Sequence, residues 1–188
     1  ALDRAPGDAL AAASVRLDLA GVLAEFRQML RKTDPDAARE MDEGLAGASE
    51  MIGLDIEKDI LGSLGDQWTF ISAESLGGFG TGTVLSVNVK DAKTFSQALA
   101  RLEVLLAQAI GGRGGRNGEA FSIRKKMYGK AEVHYVAGRG VPMPVAPAWI
   151  LHEGRFQIGL FPQVIAASLA KPAKPLTDDP AFTALRKR

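Results

Sequence analysis

The sequence predicts an α+β fold: a largely antiparallel sheet built from hairpins, amphipathic helices packed on one face, and an N-terminal helical hairpin. Three observations predict it. Strand-like segments come in neighbouring pairs joined by short turns, as antiparallel pairing requires. Long segments with apolar residues at helical spacing lie between those pairs. Strict alternation of strand and helix, the mark of a doubly wound parallel sheet, is missing.

Taken in order, Ala11 to Leu17 alternates, with Val15 and Leu17 apolar against Ser14 and Arg16, and reads as a strand. Asp18 stands where it can cap the next element, a helix to about Lys32 striped by Leu19, Val22, Leu23, Phe26 and Leu30. Asp34-Pro35 starts a second helix, an N-cap followed by Pro at the first helical position. Met41, Leu45, Ala48 and Ile52 are its stripe and Gly53 its stop, so the two helices form an antiparallel hairpin. Asp55 opens a short helix carrying Ile56, Ile60 and Leu61.

Gln67 to Ser72 and Thr83 to Val89 are strands joined across the glycine-rich loop Gly77–Gly82. Asp91 caps a long helix striped by Phe95, Leu99, Leu102, Leu106 and Ile110. Gly111 to Gly118 reads as a basic surface loop. Ala120 to Met127 and Ala131 to Ala137 are strands around a turn at Tyr128-Gly129, and Gly138 to Pro147 is a loop. Ala148 to His152 and Arg155 to Leu160 form the clearest hairpin, with Glu153-Gly154 as its two-residue turn. Pro162 starts a helix with Val164, Ile165 and Leu169. The Lys171–Pro175 segment is a stiff linker, and Asp179-Pro180 begins a last helix. A strand passes into a helix at Asp18, Asp91 and Pro162, spacings of 73 and 71 residues that suit a diverged repeat within a single domain, 1–188.

The chain has 188 residues, 46% of them apolar and 24% charged, enough to bury a real core and too apolar for a disordered chain. No run of about 18 apolar residues marks a transmembrane helix. There is no cysteine, which excludes disulfides, zinc thiolates, iron–sulfur clusters and thiol nucleophiles. The net charge of +1 hides an asymmetry. Residues 1–89 hold 15 acids and 7 bases, a net of −8, whereas 90–188 hold 7 acids and 16 bases, a net of +9. The simplest expectation is that the halves neutralise each other across the fold. The chain opens at Ala1 and stops at Arg186-Lys187-Arg188 inside an expected helix, so both ends read as cut from a longer polypeptide.

The common chemistries are not written in the sequence. Neither glycine-rich loop ends in the Gly-Lys-Ser/Thr that a phosphate-cradling P-loop needs, nor does either follow the dinucleotide pattern. The two histidines, His134 and His152, lie on expected strands without a nucleophile elbow. Glu132 shares a strand face with His134, two residues away, so the two can pair, but without an elbow a surface or satisfied histidine is the expectation. Asp55 with Asp59, and Asp178 with Asp179, are possible acid pairs, but helix capping accounts for Asp55 and Asp179. No metal or cofactor is expected. One stretch is suggestive: Arg113, Arg116, Arg124, Lys125, Lys126, Lys130 and Arg139 fall within 27 residues, with Tyr128 and Tyr135 interleaved. Such a segment suits phosphate backbones or anionic headgroups, or else the acidic half of the chain itself. No nucleic-acid module pattern accompanies it, so nucleic acid is not the expected partner.

Gly53-Leu54-Asp55, Asp59-Ile60-Leu61 and Leu64-Gly65-Asp66 resemble the spaced Leu-Gly-Asp signature of an uncharacterised bacterial family of unknown function. Val89-Lys90-Asp91 with Phe95 and Leu99 is similar to its strand-to-helix block, and Leu176-Thr177-Asp178-Asp179-Pro180-Ala181-Phe182 to a further block. The resemblance implies long proteins, often with an N-terminal signal or membrane anchor and an exported globular region, and carries no activity or site residue with it. The expectation is therefore a non-catalytic structural or interaction domain of an exported bacterial protein, its partner another protein or the rest of the same polypeptide. The alternatives are a polyanion-binding domain using 113–139 and a hydrolase-like enzyme.

Overall fold

The computed structural model describes residues 2–111, 120–139 and 144–186. Seven strands form one sheet: β1 (Ala9–Arg16), β2 (Leu64–Ala73), β3 (Thr83–Val89), β4 (Ala120–Tyr128), β5 (Ala131–Arg139), β6 (Ala148–His152) and β7 (Arg155–Gly159). Their order is β1-β2-β3-β7-β6-β5-β4, and every pairing is antiparallel. The helices are α1 (Leu19–Thr33), α2 (Pro35–Ile52), α3 (Ala92–Gly111), α4 (Pro162–Leu169) and α5 (Pro180–Arg186). The α+β class, the antiparallel sheet and the α1–α2 hairpin are those expected from the sequence.

The local reasons are visible atom by atom. Asp34 Oδ1 accepts from the Ala37 N–H at 3.0 Å, and Gly53 ends α2 at φ +65°, a conformation that costs other residues a steric clash. Asp55 and Asp91 act alike, accepting from Lys58 N at 2.9 Å and Thr94 N at 3.0 Å. Asp18 does not: it occupies the N-cap position of α1 but makes no capping hydrogen bond. The short helix Ile56–Leu61 is wound wider than an α-helix, with Gly62 N donating to Glu57 O five residues back at 2.7 Å. Glu153 and Gly154 both take positive φ, 49° and 69°, as a two-residue turn of type I′ requires.

One expectation needs correction, because helices cover both faces of the sheet. In β3, Val84 and Ser86 point to one side and Leu85 and Val87 to the other. Val84 joins Ile71, Val133, Ile150, Val164 and Ile165 in a core under α4. Val87 joins Leu64, Phe95, Leu99 and Phe156 in a second core under α3. β6 buries both sides, as its unbroken apolar run Trp149-Ile150-Leu151 demands, whereas on the α3 side of β3 and β7 Val87 and Phe156 are covered and Leu85 and Ile158 stay exposed. Leu19 packs in the α3-side core, so the junctions at Asp18 and Asp91 deliver helices to one face and the junction at Pro162 to the other.

Candidate functional site

A cleft of about 800 Å³ opens on the α4 side of the sheet. Its floor is apolar at one end, with Ile71 of β2, Val84 of β3 and Leu76. Ala167, Ser168 and Ala170 at the end of α4 form the back. The outer wall is two chain segments zipped together. Gly7 N donates to Lys174 O and Leu176 N to Ala5 O, both at 2.7 Å, and an antiparallel bridge joins Pro6 to Pro175. Pro6, Pro172, Pro175 and Pro180 all face the cleft, so the wall is built from residues with a fixed φ.

Across that floor runs a polar row. Thr69, Ser86 and Gln157 lie directly opposite one another on β2, β3 and β7 and are only 3%, 7% and 5% exposed. The Ser168 hydroxyl shares its one proton between Ile165 O at 2.8 Å and Gln157 Oε1 at 3.2 Å, and Gln157 Nε2 is left for the cleft. Neither that nitrogen nor the Ser86 hydroxyl has a hydrogen-bond partner among the described residues. Buried polar groups normally find partners, so two unspent ones side by side in a cavity mark a place for a ligand or ordered water. Arg155, two residues along β7 on the same face, is half-buried and donates no hydrogen bond to any described residue; its field reaches Asp3.

The other charges of the rim are engaged elsewhere or exposed. Arg4 pairs with Glu153 at 3.2 Å. Asp8 accepts from the N–H and hydroxyl of Ser75, at 2.7 and 2.9 Å. Asp179 caps α5 through Ala181 N and Phe182 N, at 2.7 and 3.2 Å. Asp178, Lys171 and Lys174 are exposed. Among the described residues no cluster of His, Asp and Glu is arranged to hold a metal ion.

The described part of the basic segment is divided between the two faces of β4 and the β4–β5 turn. Arg113 and Arg116 lie outside the described residues, as does the side chain of Arg139. Arg124 and Lys126 point to the α4 face of β4, and Lys125 to the α3 face, where its Nζ is 2.9 Å from Glu132 Oε1. Lys126 Nζ sits 5.0 Å from the centre of the Tyr128 ring. Lys130 is exposed at the β4–β5 turn. The strand carrying these charges is an edge of the sheet, where Lys and Arg block pairing with another chain.

The Glu132–His134 contact is present and belongs to a larger network. His134 Nε2 lies 3.1 Å from Glu132 Oε1, and His134 Nδ1 lies 2.6 Å from Glu103 Oε1 of α3. Trp149 Nε1 donates to the same Glu103 oxygen at 2.7 Å. The Lys125 ammonium, and behind it His134, holds the Glu132 carboxyl below its ordinary value, while Glu132 raises Lys125. Both imidazole nitrogens face carboxylates, and the network borders a smaller cavity of about 390 Å³ on the α3 side of the sheet. His152 stands at the β6–β7 turn, 3.8 Å from Glu153.

The cleft residues were not signalled by the sequence. Arg155-Phe156-Gln157-Ile158 reads as an ordinary alternating strand, polar side to water. Only a helix over each face turns Gln157 inward. No protein-family model, curated protein or solved structure matches the chain.

Proposed function

We propose that this chain is a non-catalytic binding module, part of an exported bacterial protein of the family its motifs resemble, that receives a small, partly apolar ligand in the cleft beside α4. The observation that carries the reading is the pairing of an apolar floor with two nearly buried polar groups, the Gln157 amide nitrogen and the Ser86 hydroxyl, that have no partner among the described residues. A cavity of about 800 Å³ is within the usual size of a small-molecule site. Support for a non-catalytic role comes from the histidine network: its groups satisfy one another on the opposite face, away from the cleft.

The test is titration with a neutral, environment-sensitive dye, N-phenyl-1-naphthylamine, followed by fluorescence. Saturable binding at one site is expected, and Ala167→Trp, which fills the cleft from α4, is expected to abolish it while circular dichroism stays unchanged. Absence of saturable binding, or binding indifferent to the tryptophan, overturns the reading.

A further inference from the structure

We propose that the cleft selects an amphiphile with a carboxylate head, and that Arg155, Gln157 and Ser86 form the head-group site. The inference rests on the binding reading above and adds the chemistry of the ligand.

The three side chains are neighbours by register. Ser86 and Gln157 are a cross-strand pair, with β-carbons about 5 Å apart in such pairs, and Arg155 is the next residue on that face of β7, about 7 Å along the strand. What they have left to offer is donors. The Gln157 carbonyl oxygen already faces Ser168, so its amide N–H₂ remains. The guanidinium of Arg155 has donors only. The Ser86 hydroxyl can rotate to donate. The carboxylates of the rim already accept hydrogen bonds or are exposed: Asp8 is bound to Ser75 and Asp179 to the first turn of α5, while Asp178 is exposed at the edge of the cleft.

A site whose charged member, Arg155, has donors only, beside an amide N–H₂ and a hydroxyl that can turn to donate, fits an acceptor-only head, which describes an ionised carboxylate. Charge matching points the same way. Arg4 is paired with Glu153, and Arg155, half-buried on the floor with a field that also reaches Asp3, offers its guanidinium donors to an anionic head. The tail then lies over Ile71, Val84 and Ala167, where burial of methylene groups supplies the affinity that the polar end cannot.

The experiment is displacement of the bound dye by decanoate and by decan-1-ol, which share a chain and differ at the head. Decanoate is expected to displace the dye at about a tenfold lower concentration than the alcohol, the size of one charge-assisted bond. Arg155→Met should bring the two ligands together by weakening decanoate more than decan-1-ol. Gln157→Glu, nearly the same shape and so independent of any folding defect in the methionine variant, should favour the alcohol. If decanoate and decan-1-ol displace equally from the unaltered chain, or if the preference survives both substitutions, the head-group assignment is wrong. In that case displacement by both ligands still leaves the binding reading in place. Displacement by neither overturns the binding reading itself.

Discussion

Glu103 satisfies two donors with one oxygen. Oε1 accepts from the Trp149 indole and faces the His134 ring, and its side chain is only 15% exposed. A buried donor left without an acceptor costs more than a hydrogen bond gains. Glu103→Ala strands the indole N–H and one imidazole nitrogen together, and about 1–3 kcal/mol of stability should be lost. Glu103→Gln should recover part of it, because an amide oxygen still accepts from Trp149. Urea unfolding followed by tryptophan fluorescence measures both, and an alanine variant as stable as the parent chain would remove Glu103 from its role as a tie between α3 and the sheet. At this scale the sequence was half legible. The spacing of Glu132 and His134 put them on one strand face, and they do meet. Glu103 lies 31 residues from His134, and no local pattern announces a contact made only by the docking of a helix. The cleft was hidden for the same reason: a polar residue on an alternating strand is assigned to water until something is known to cover it.

Elements were more legible, because each is terminated by local chemistry. Asp34, Gly53, Asp55 and Asp91 stop or start helices where their side chains and backbone angles require. Which face a helix covers is a different matter, decided by loop length and the sidedness of two strands at once, and there the one-face expectation failed. Edge strands show the same division between local and global. Three consecutive basic residues in a strand look like a binding patch until β4 is found at the rim of the sheet. There, long solvated cations keep another strand from pairing. The opposite edge is treated differently: a register shift between Ala9 and Ala11 breaks the regular ladder of β1. Replacing Arg124 and Lys126 by Thr keeps β-propensity and removes the guard. The double variant should therefore self-associate, giving light scattering that rises with concentration where the parent stays monodisperse. A variant that remains monodisperse at the same concentrations would return these residues to a binding role.

Charge shows what holds the molecule together as a whole. The expectation that the acidic and basic halves neutralise each other is not met by direct pairs. Among the described residues, Arg4–Glu153 at 3.2 Å is the one ion pair that joins residues 1–89 to 90–188. The acidic half pairs internally instead. Arg27 Nε reaches Asp42 at 2.5 Å and the same guanidinium grips Glu57, while Arg31 takes the other Asp42 oxygen at 3.1 Å. These contacts bind α1, α2 and the Ile56–Leu61 turn to one another. They matter because the hairpin has little else: Ala38 is the single buried residue described in α1 and α2. Arg31 first, then Arg27, holds the Asp42 carboxyl below its ordinary value of 3.8. A group whose value is lowered by folding stabilises the fold above its ordinary value, and that contribution is lost as the pH drops through the lowered one. The hairpin's ties are therefore intact at neutral pH and fail in acid. The sheet, with apolar cores on both faces, has no such dependence on a single carboxylate. Acidification from pH 7 to well below the ordinary carboxylate range should raise hydrogen exchange in residues 19–52 while β2, β3 and β7 stay protected, after correction for intrinsic rates. High salt at pH 7 should reproduce part of that loosening, since the pairs are partly exposed and screened. Equal loss of protection in hairpin and sheet would mean that the hairpin is held by its apolar contacts and that the ionic ties are incidental.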